Sequence, residues 1–390
     1  MKRIFVLWML TLLLVLITIG CVQQPQEETL TIGVIVPETG VFSTAGKAMK
    51  NAATLAEEHI NTLGLSEYKV KVIFADGGST PEESKAAFME LSSKADIIVG
   101  TYSSDQSVVC AEAAKENKKV FIASVASAEQ LEKMVSEGNK YVFRNAYNTS
   151  YWGLLAAEFL RLSGAERYYF VGYDPLKTFN QGMLKEIEKA NVTKKLGETY
   201  YLSTKVSPND YLEKAEKVTK ILEDRDVLVL GDPGGTSVGF VKAYRNAGGK
   251  GIIYSVGGVL ALPKTLRDLN ESYIAFQAAA LEDIEKTDLT KKYFEDYKEK
   301  FGEEANNYAG ILTYDAVLIA AQAWAEDTEK TIKKLETGEF KGASGIYRFN
   351  ENHQALWGSE DLKGVIGEFV NGSILIVYPE NLKTSDVVWP

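Results

Sequence analysis

Strand and helix signals alternate along this chain, and the alternation starts twice. Leu30 to Pro37 (LTIGVIVP) is a β-branched apolar run, the mark of a buried strand. Ala45 to Asn61 then sets Ala48, Ala52, Leu55, Ala56 and Ile60 on one helical face. Tyr68 to Phe74 alternates apolar and basic residues, as an edge strand does. Pro81 with Glu82 and Glu83 opens a helix, because a first turn favours Pro and acids. Asp96 to Val99 and Val120 to Ala123 read as further strands, with helices in the gaps. Alternation at this spacing builds a parallel sheet covered by helices on both faces.

The pattern restarts near Asn148. Ser150–Leu162 and Leu176–Ala190 read as helices around a strand at Arg167–Val171. Strands follow at Tyr200–Leu202, Val227–Leu230, Ile252–Ser255 and Ile274–Ala278, with helices at Pro208–Glu223 and Ser237–Ala247. One helical block runs from Leu289 to Thr337. The tail then changes: Gly345–Phe349, Val365–Val370 and Ile374–Tyr378 read as β-ribbon, with Asn371-Gly372 as a tight turn. The expectation is an α/β chain with two units and a β-rich tail, which suits a length beyond one compact core.

The first residues predict export. Lys2 and Arg3 precede an uncharged apolar run, Ile4 to Ile19, and small residues stand before Cys21. That order is a secretory signal, assigned to residues 1–20. Cys21 after it resembles the lipobox of prokaryotic lipoproteins, in which the cysteine is lipidated and becomes the N-terminus. Thr18 stands where that pattern usually has Leu. The polar stretch VQQPQEET, Val22 to Thr29, reads as a spacer, so 21–29 is assigned as lipidated N-terminus and linker. An uncleaved signal anchor is the alternative. Either reading tethers a domain outside the cytoplasm.

Composition removes several functions. Without Lys2 and Arg3 the chain holds 41 basic against 53 acidic residues, which argues against nucleic acid. After Cys21 only Cys110 remains, so no intramolecular disulfide forms, and Cys110 reads as buried filler. The two histidines, His59 and His353, have no cysteine nearby and read as solvated. No metal, no cofactor and no enzyme activity are expected. There is no phosphate-binding GxxxxGK[ST] loop.

A ligand site belongs beyond the carboxyl ends of the parallel strands. After the third strand comes Gly100-Thr101-Tyr102-Ser103-Ser104-Asp105, and after the fourth Ser124-Val125-Ala126-Ser127-Ala128. Hydroxyls and unpaired N–H groups there suit a carboxylate. Ser104 and Ser127 as plain helix caps is the rival reading. Phe42, Tyr102, Tyr147, Tyr173 and Phe179 cluster at strand ends. The glycine turns at Gly234 and Gly257 face a ligand or merely turn the chain; both readings stay open.

These segments carry a family resemblance. Ile32 to Asn61, Asp96 to Ser104 (DIIVGTYSS), Phe121 to Leu131 (FIASVASAEQL), Phe143-Arg144 with Gly153, Phe179 to Gly182, Tyr308 to Ala316 (YAGILTYDA) and Gly342 to Phe349 (GASGIYRF) stand in matching order. They resemble the leucine/isoleucine/valine-binding class of type I periplasmic binding proteins, receptors of ABC importers. Ser124 stands where that family usually has Pro. The resemblance implies two Rossmann-like lobes joined by three crossover segments, with a ligand cleft between them. Lobe one would hold 30–146 plus 279–348, lobe two 147–278 plus 349–380, with 381–390 as a tail. It implies an amino acid held by Ser104, the main chain of Val125, and Ser127. The family's acid for the ammonium falls on Gly257, and its nearby tyrosine is replaced by Pro233-Gly234. Both departures predict a bulkier ligand among Phe42, Tyr102, Tyr147 and Phe179. Asp105, Asp174 and Asp232 are the acids that could replace the missing one. The implied function is a membrane-anchored solute receptor passing an amino acid or related carboxylate to ABC permease subunits. A sensor passing closure to a signalling partner is the alternative.

Overall fold

A computed structural model describes residues 28–202 and 210–390. The signal segment, Cys21, most of the linker and the expected helix start at Pro208 lie outside the described residues.

Two sheets organise the chain. The first runs β2-β1-β3-β4-β5, all parallel, from β1 (Thr29–Val36), β2 (Lys69–Asp76), β3 (Ile97–Gly100), β4 (Phe121–Ala123) and β5 (Val142–Arg144). The alternating segment lies at the edge as β2, where its charged residues reach water. Between these strands run α1 (Ser43–Leu63), α2 (Pro81–Ser92), α3 (Ser104–Asn117) and α4 (Gln130–Ser136). Helix α2 starts where expected because Thr80 and Glu83 form a capping box ahead of Pro81.

Among the described residues the second sheet has seven strands. Its parallel part comprises β6 (Arg167–Tyr173), β7 (Lys194–Tyr201), β8 (Val227–Gly231), β9 (Ile252–Ser255) and β10 (Ile274–Ala278). Its helices are α5 (Thr149–Ser163), α6 (Lys177–Ala190), α7 (Asp210–Thr219), α8 (Thr236–Asn246) and α9 (Pro263–Leu269). Strand β7 begins well before the expected Tyr200, since its lysine-rich start hid an edge strand. After β10 the chain returns to the first body with α10 (Asp288–Phe301), α11 (Ala309–Ala323), α12 (Thr328–Thr337), and the short β11 (Phe340–Lys341) and β12 (Ile346–Tyr347). The expected single helical block is thus three helices; Gly302, at φ 68°, ends the first. Finally β13 (Val365–Val370) joins the second sheet antiparallel to β10, and β14 (Ser373–Tyr378) pairs antiparallel to β13 at its edge. Asn371 and Gly372 turn between them with φ of 49° and 86°, the positive pair a tight hairpin needs.

The chain crosses between the bodies three times: before α5, after β10 and before β13. Its last crossing is later than expected. Phe349, Ala355 and Leu362 are buried in the first core, so the boundary at 348 is corrected to beyond 362. Phe349 meets Phe143 of β5 at 5.3 Å and Phe340 of β11 at 6.3 Å.

Both histidines are buried, against expectation. His59 bridges the Tyr314 hydroxyl (2.7 Å) and Asp296 (2.9 Å). His353 stacks on Phe143 at 3.9 Å and bonds the Val142 carbonyl. Burial pushes both imidazoles below their ordinary pKa, so each is a neutral, hydrogen-bonded core residue. Cys110 is buried as filler, and burial pushes its thiol up, away from reactivity. Among the described residues no helix is long and apolar enough to cross a membrane.

Candidate functional site

The carboxyl ends of β3 and β4 deliver two turns side by side. Helix α3 begins at Ser104, but its cap is Ser103: the Ser103 hydroxyl accepts from the Gln106 N–H, and the Gln106 side chain returns the bond. The orphan N–H of this helix start is therefore satisfied one residue early. Among the described residues the Ser104 hydroxyl has no protein partner, and the N–H groups of Ser104 and Asp105 are unpaired first-turn donors. Ser127 is not a cap either, since α4 follows Glu129. Its hydroxyl accepts from the Trp152 indole N–H at 2.9 Å, which leaves its own proton to give. Among the described residues the N–H groups of Val125 and Ser127 donate to no protein acceptor. The cap readings of both serines are thus set aside by geometry.

Ser127 is also where the bodies meet. Its carbonyl accepts from the Thr149 N–H and hydroxyl, both at 3.0 Å, in the first turn of α5. Asn148 caps that helix by accepting from the Tyr151 N–H. The start of α5 is thereby fastened to the β4 turn, and Trp152 is aimed back at it.

Aromatic rings surround the turns. Phe42 and Tyr102 lie 5.0 Å apart on the first body, both half-buried. Phe179 meets Trp152 edge-on at 5.9 Å, and Trp152 lies 4.7 Å from Tyr308. Tyr147 behaves differently from the expected cleft aromatic. It is fully buried at the crossing, its hydroxyl donates to the Ala278 carbonyl at 2.8 Å, and Tyr151, Trp152, Tyr308 and Trp357 enclose it. It ties two crossing segments together.

The two glycine turns are spent internally. The Gly234 N–H donates to Asp232 at 2.7 Å, and the Gly257 N–H to the Ser255 hydroxyl at 3.2 Å. Gly257 has φ 90°, and a Cβ there would stand 2.3 Å from the Gln277 carbonyl oxygen. No side chain, acidic or otherwise, can occupy that position without moving β10.

Of the three acids considered, Asp232 is the buried one. It is 1 % exposed, whereas Asp105 and Asp174 lie open to water. Its carboxylate accepts from Gly234 N–H, the Tyr201 hydroxyl and the Thr236 hydroxyl. Burial pushes its pKa up, and those donors oppose the rise. Its charge reaches Tyr102 on the other body: burial first, then Asp232, raises that phenol.

Sequence reading missed Trp152, Tyr308, Tyr201 and Thr236. Their signals were faint: Trp152 stands four residues beyond the Asn148 cap, and Tyr201 ends a strand that looked polar. Among the described residues no group of three or more His, Cys, Asp or Glu could hold a metal ion.

Two α/β bodies with serine-bearing turns at the strand ends suit the binding of a small ligand. Residues 29–358 match the family model described as periplasmic binding protein. The chain belongs to that family, and its fold is of type I. Among solved structures it resembles the branched-chain amino acid transporter substrate-binding protein LivJ of Streptococcus pneumoniae, in complex with isoleucine. The identity is 20 %, the TM-score 0.74, and the match covers 90 % of this chain and 100 % of that one. The leucine-binding protein LivK of Thermotoga maritima matches at 22 % identity and TM-score 0.71, over 90 % and 100 %. An ABC transporter solute-binding protein of Rhodopseudomonas palustris, in complex with 3,4-dihydroxybenzoic acid, matches at 18 % and 0.73, over 93 % and 99 %. No curated protein matches the chain.

Proposed function

We propose that this protein is a lipid-anchored solute receptor of an ABC importer. It captures an amino acid, branched-chain or aromatic, or a related small carboxylate, by closing its two lobes on it. The observation that carries this reading is the unspent donor set at adjacent strand ends: the Ser104 and Ser127 hydroxyl protons with the N–H groups of Ser104, Asp105, Val125 and Ser127. A carboxylate accepts such donors, and a helix N-terminus adds favourable potential. Relatives of the same fold bound to isoleucine and to a benzoic acid derivative support a carboxylate. Phe42, Tyr102, Trp152 and Phe179 supply apolar faces for its body. Fastening of Ser127 to the start of α5 gives ligand contact a direct route to lobe closure, a hinge motion. The closed form is then what the permease subunits receive.

The test is a thermal-shift panel of aliphatic and aromatic amino acids alongside their deaminated acids. Acids with bulky or aromatic bodies should raise the melting temperature most. Sub-micromolar leucine or valine binding with no response to any bulkier acid would falsify the bulky-ligand reading. The anchor is tested separately. Cys21→Ser should abolish lipid modification, and a lipid-bearing product from that variant would end the lipoprotein assignment.

A further inference from the structure

The turn after β4 carries the N–H groups of Val125 and Ser127, yet it does not hold its own shape. Among the described residues no main-chain hydrogen bond joins two residues of 124–128. Its conformation is fixed from outside. At its entry the Ser124 N–H donates to the Gly100 carbonyl at 2.8 Å, and further on the Ser127 carbonyl accepts from Thr149. At its exit the Ala128 carbonyl accepts from the Leu131 N–H, at 3.2 Å, and from Arg144 Nη1.

Arg144 ends β5 and is 1 % exposed. Its guanidinium spends each nitrogen on a different segment. Nη1 goes to the turn, Nη2 to Glu132 of α4, and Nε to the Gln354 side chain, in the stretch that precedes the last crossing. Gln354 in turn donates its amide to the Ala146 carbonyl at 2.9 Å, on the first crossing. Glu132 also accepts from Asn148 Nδ2 at 3.0 Å, and Asn148 caps α5. One buried cation thus refers the turn to the approaches of two crossings and to the first helix of the second body. A buried guanidinium is costly unless every arm is met, and its planar fork fixes the directions of its acceptors.

We propose that Arg144 is a positioning residue of the ligand site. It acts through the turn rather than on the ligand: it holds 124–128 so that the Val125 and Ser127 N–H groups are presented together before a ligand arrives. The assignment rests on the carboxylate reading above, which makes those N–H groups ligand contacts. A turn left loose in the free protein is ordered at the ligand's expense, and that cost is subtracted from affinity. A lysine does not replace the fork. It ends in a single nitrogen, which can meet Glu132 but cannot reach Ala128 and Gln354 as well.

The test uses Arg144→Lys and Gln354→Met in the purified protein, with L-leucine, L-phenylalanine, 4-methylpentanoate and 3-phenylpropanoate as probes. Urea melts fix the conditions in which each variant is folded, and calorimetry there reads affinity separately from stability. Arg144→Lys should bind the probe that wild type prefers about tenfold more weakly. Gln354→Met frees one arm of the fork and keeps the pair with Glu132, so it should weaken binding in the same direction, by about two- to tenfold. A role in the fold alone would lower stability and leave the affinity of the folded protein unchanged. Wild-type affinity in folded Arg144→Lys, or in Gln354→Met should the first variant fail to fold, overturns the assignment while carboxylate binding stands. Wild type that binds none of the four probes overturns the carboxylate reading, and the positioning role with it.

Discussion

Protein carrying Ser104→Ala and Ser127→Ala together should bind its carboxylate ligand at least ten- to a hundred-fold more weakly than wild type. A hydrogen bond to a charged group contributes about 1.5–3 kcal/mol, and about 1.4 kcal/mol is tenfold in affinity. Neither serine caps a helix, and among the described residues the Ser104 hydroxyl has no protein partner, so its loss leaves the helix start intact. Ser127→Ala does strand the Trp152 N–H, which costs some stability at the junction of the lobes. The two effects are separable: calorimetry reads the affinity, and a urea melt of each single variant reads the fold. Unchanged affinity in the double variant, for the ligand that best stabilises wild type, would leave the N–H groups alone as the carboxylate site.

The second large effect is on stability and its pH dependence. Glu368 lies fully buried in β13, where Oε2 accepts from the Val388 N–H at 2.9 Å and Oε1 has no partner among the described residues. Burial pushes its pKa up to about 7, and the Val388 bond opposes this only in part. A folded-state value above the unfolded one means the folded protein keeps a proton that the unfolded chain has released. Stability from this group is therefore full below about 4.3, falls as pH rises, and reaches its lowest contribution above about 7. The span is worth on the order of 3 kcal/mol, at about 1.4 kcal/mol per pH unit. Glu368→Gln keeps an acceptor for Val388 without the ionisation. It should be nearly as stable as wild type at pH 5 and up to about 3 kcal/mol more stable at pH 8. Urea melts at the two pH values check this; an equal difference at both would show that Glu368 ionises freely.

The site itself was legible in part. The β3 and β4 turns could be found because strand-helix alternation fixes where strands end, and small hydroxyl residues stand out there. Which serine caps and which is spare was not legible: Ser103 and Ser104 are chemically identical, and only the path of the chain into α3 chooses between them. Tyr147 and Phe179 looked alike as aromatics near strand ends. One is sealed into the crossing and bonded to Ala278, while the other stays half-buried against Trp152. Asp232 was one acid of three until burial separated it from Asp105 and Asp174.

What the sequence determined by itself is the local and the periodic. Apolar runs and helical faces set the two α/β units, the Asn371-Gly372 pair set the final hairpin, and Thr80-Pro81-Glu82-Glu83 set a helix start. These depend on residues within a few positions of one another, so the chain announces them. The tertiary structure alone decided what depends on distant partners. His59 and His353 are buried because Tyr314, Asp296 and Val142, more than two hundred positions away, satisfy their nitrogens. The last crossing falls beyond 362 because Phe349, Ala355 and Leu362 find apolar neighbours in the first core. Gly257 is bare because the Gln277 carbonyl of the next strand fills the space where a side chain would stand. Burial and hydrogen-bond satisfaction are properties of the packed whole, and no local pattern encodes which distant group will supply them.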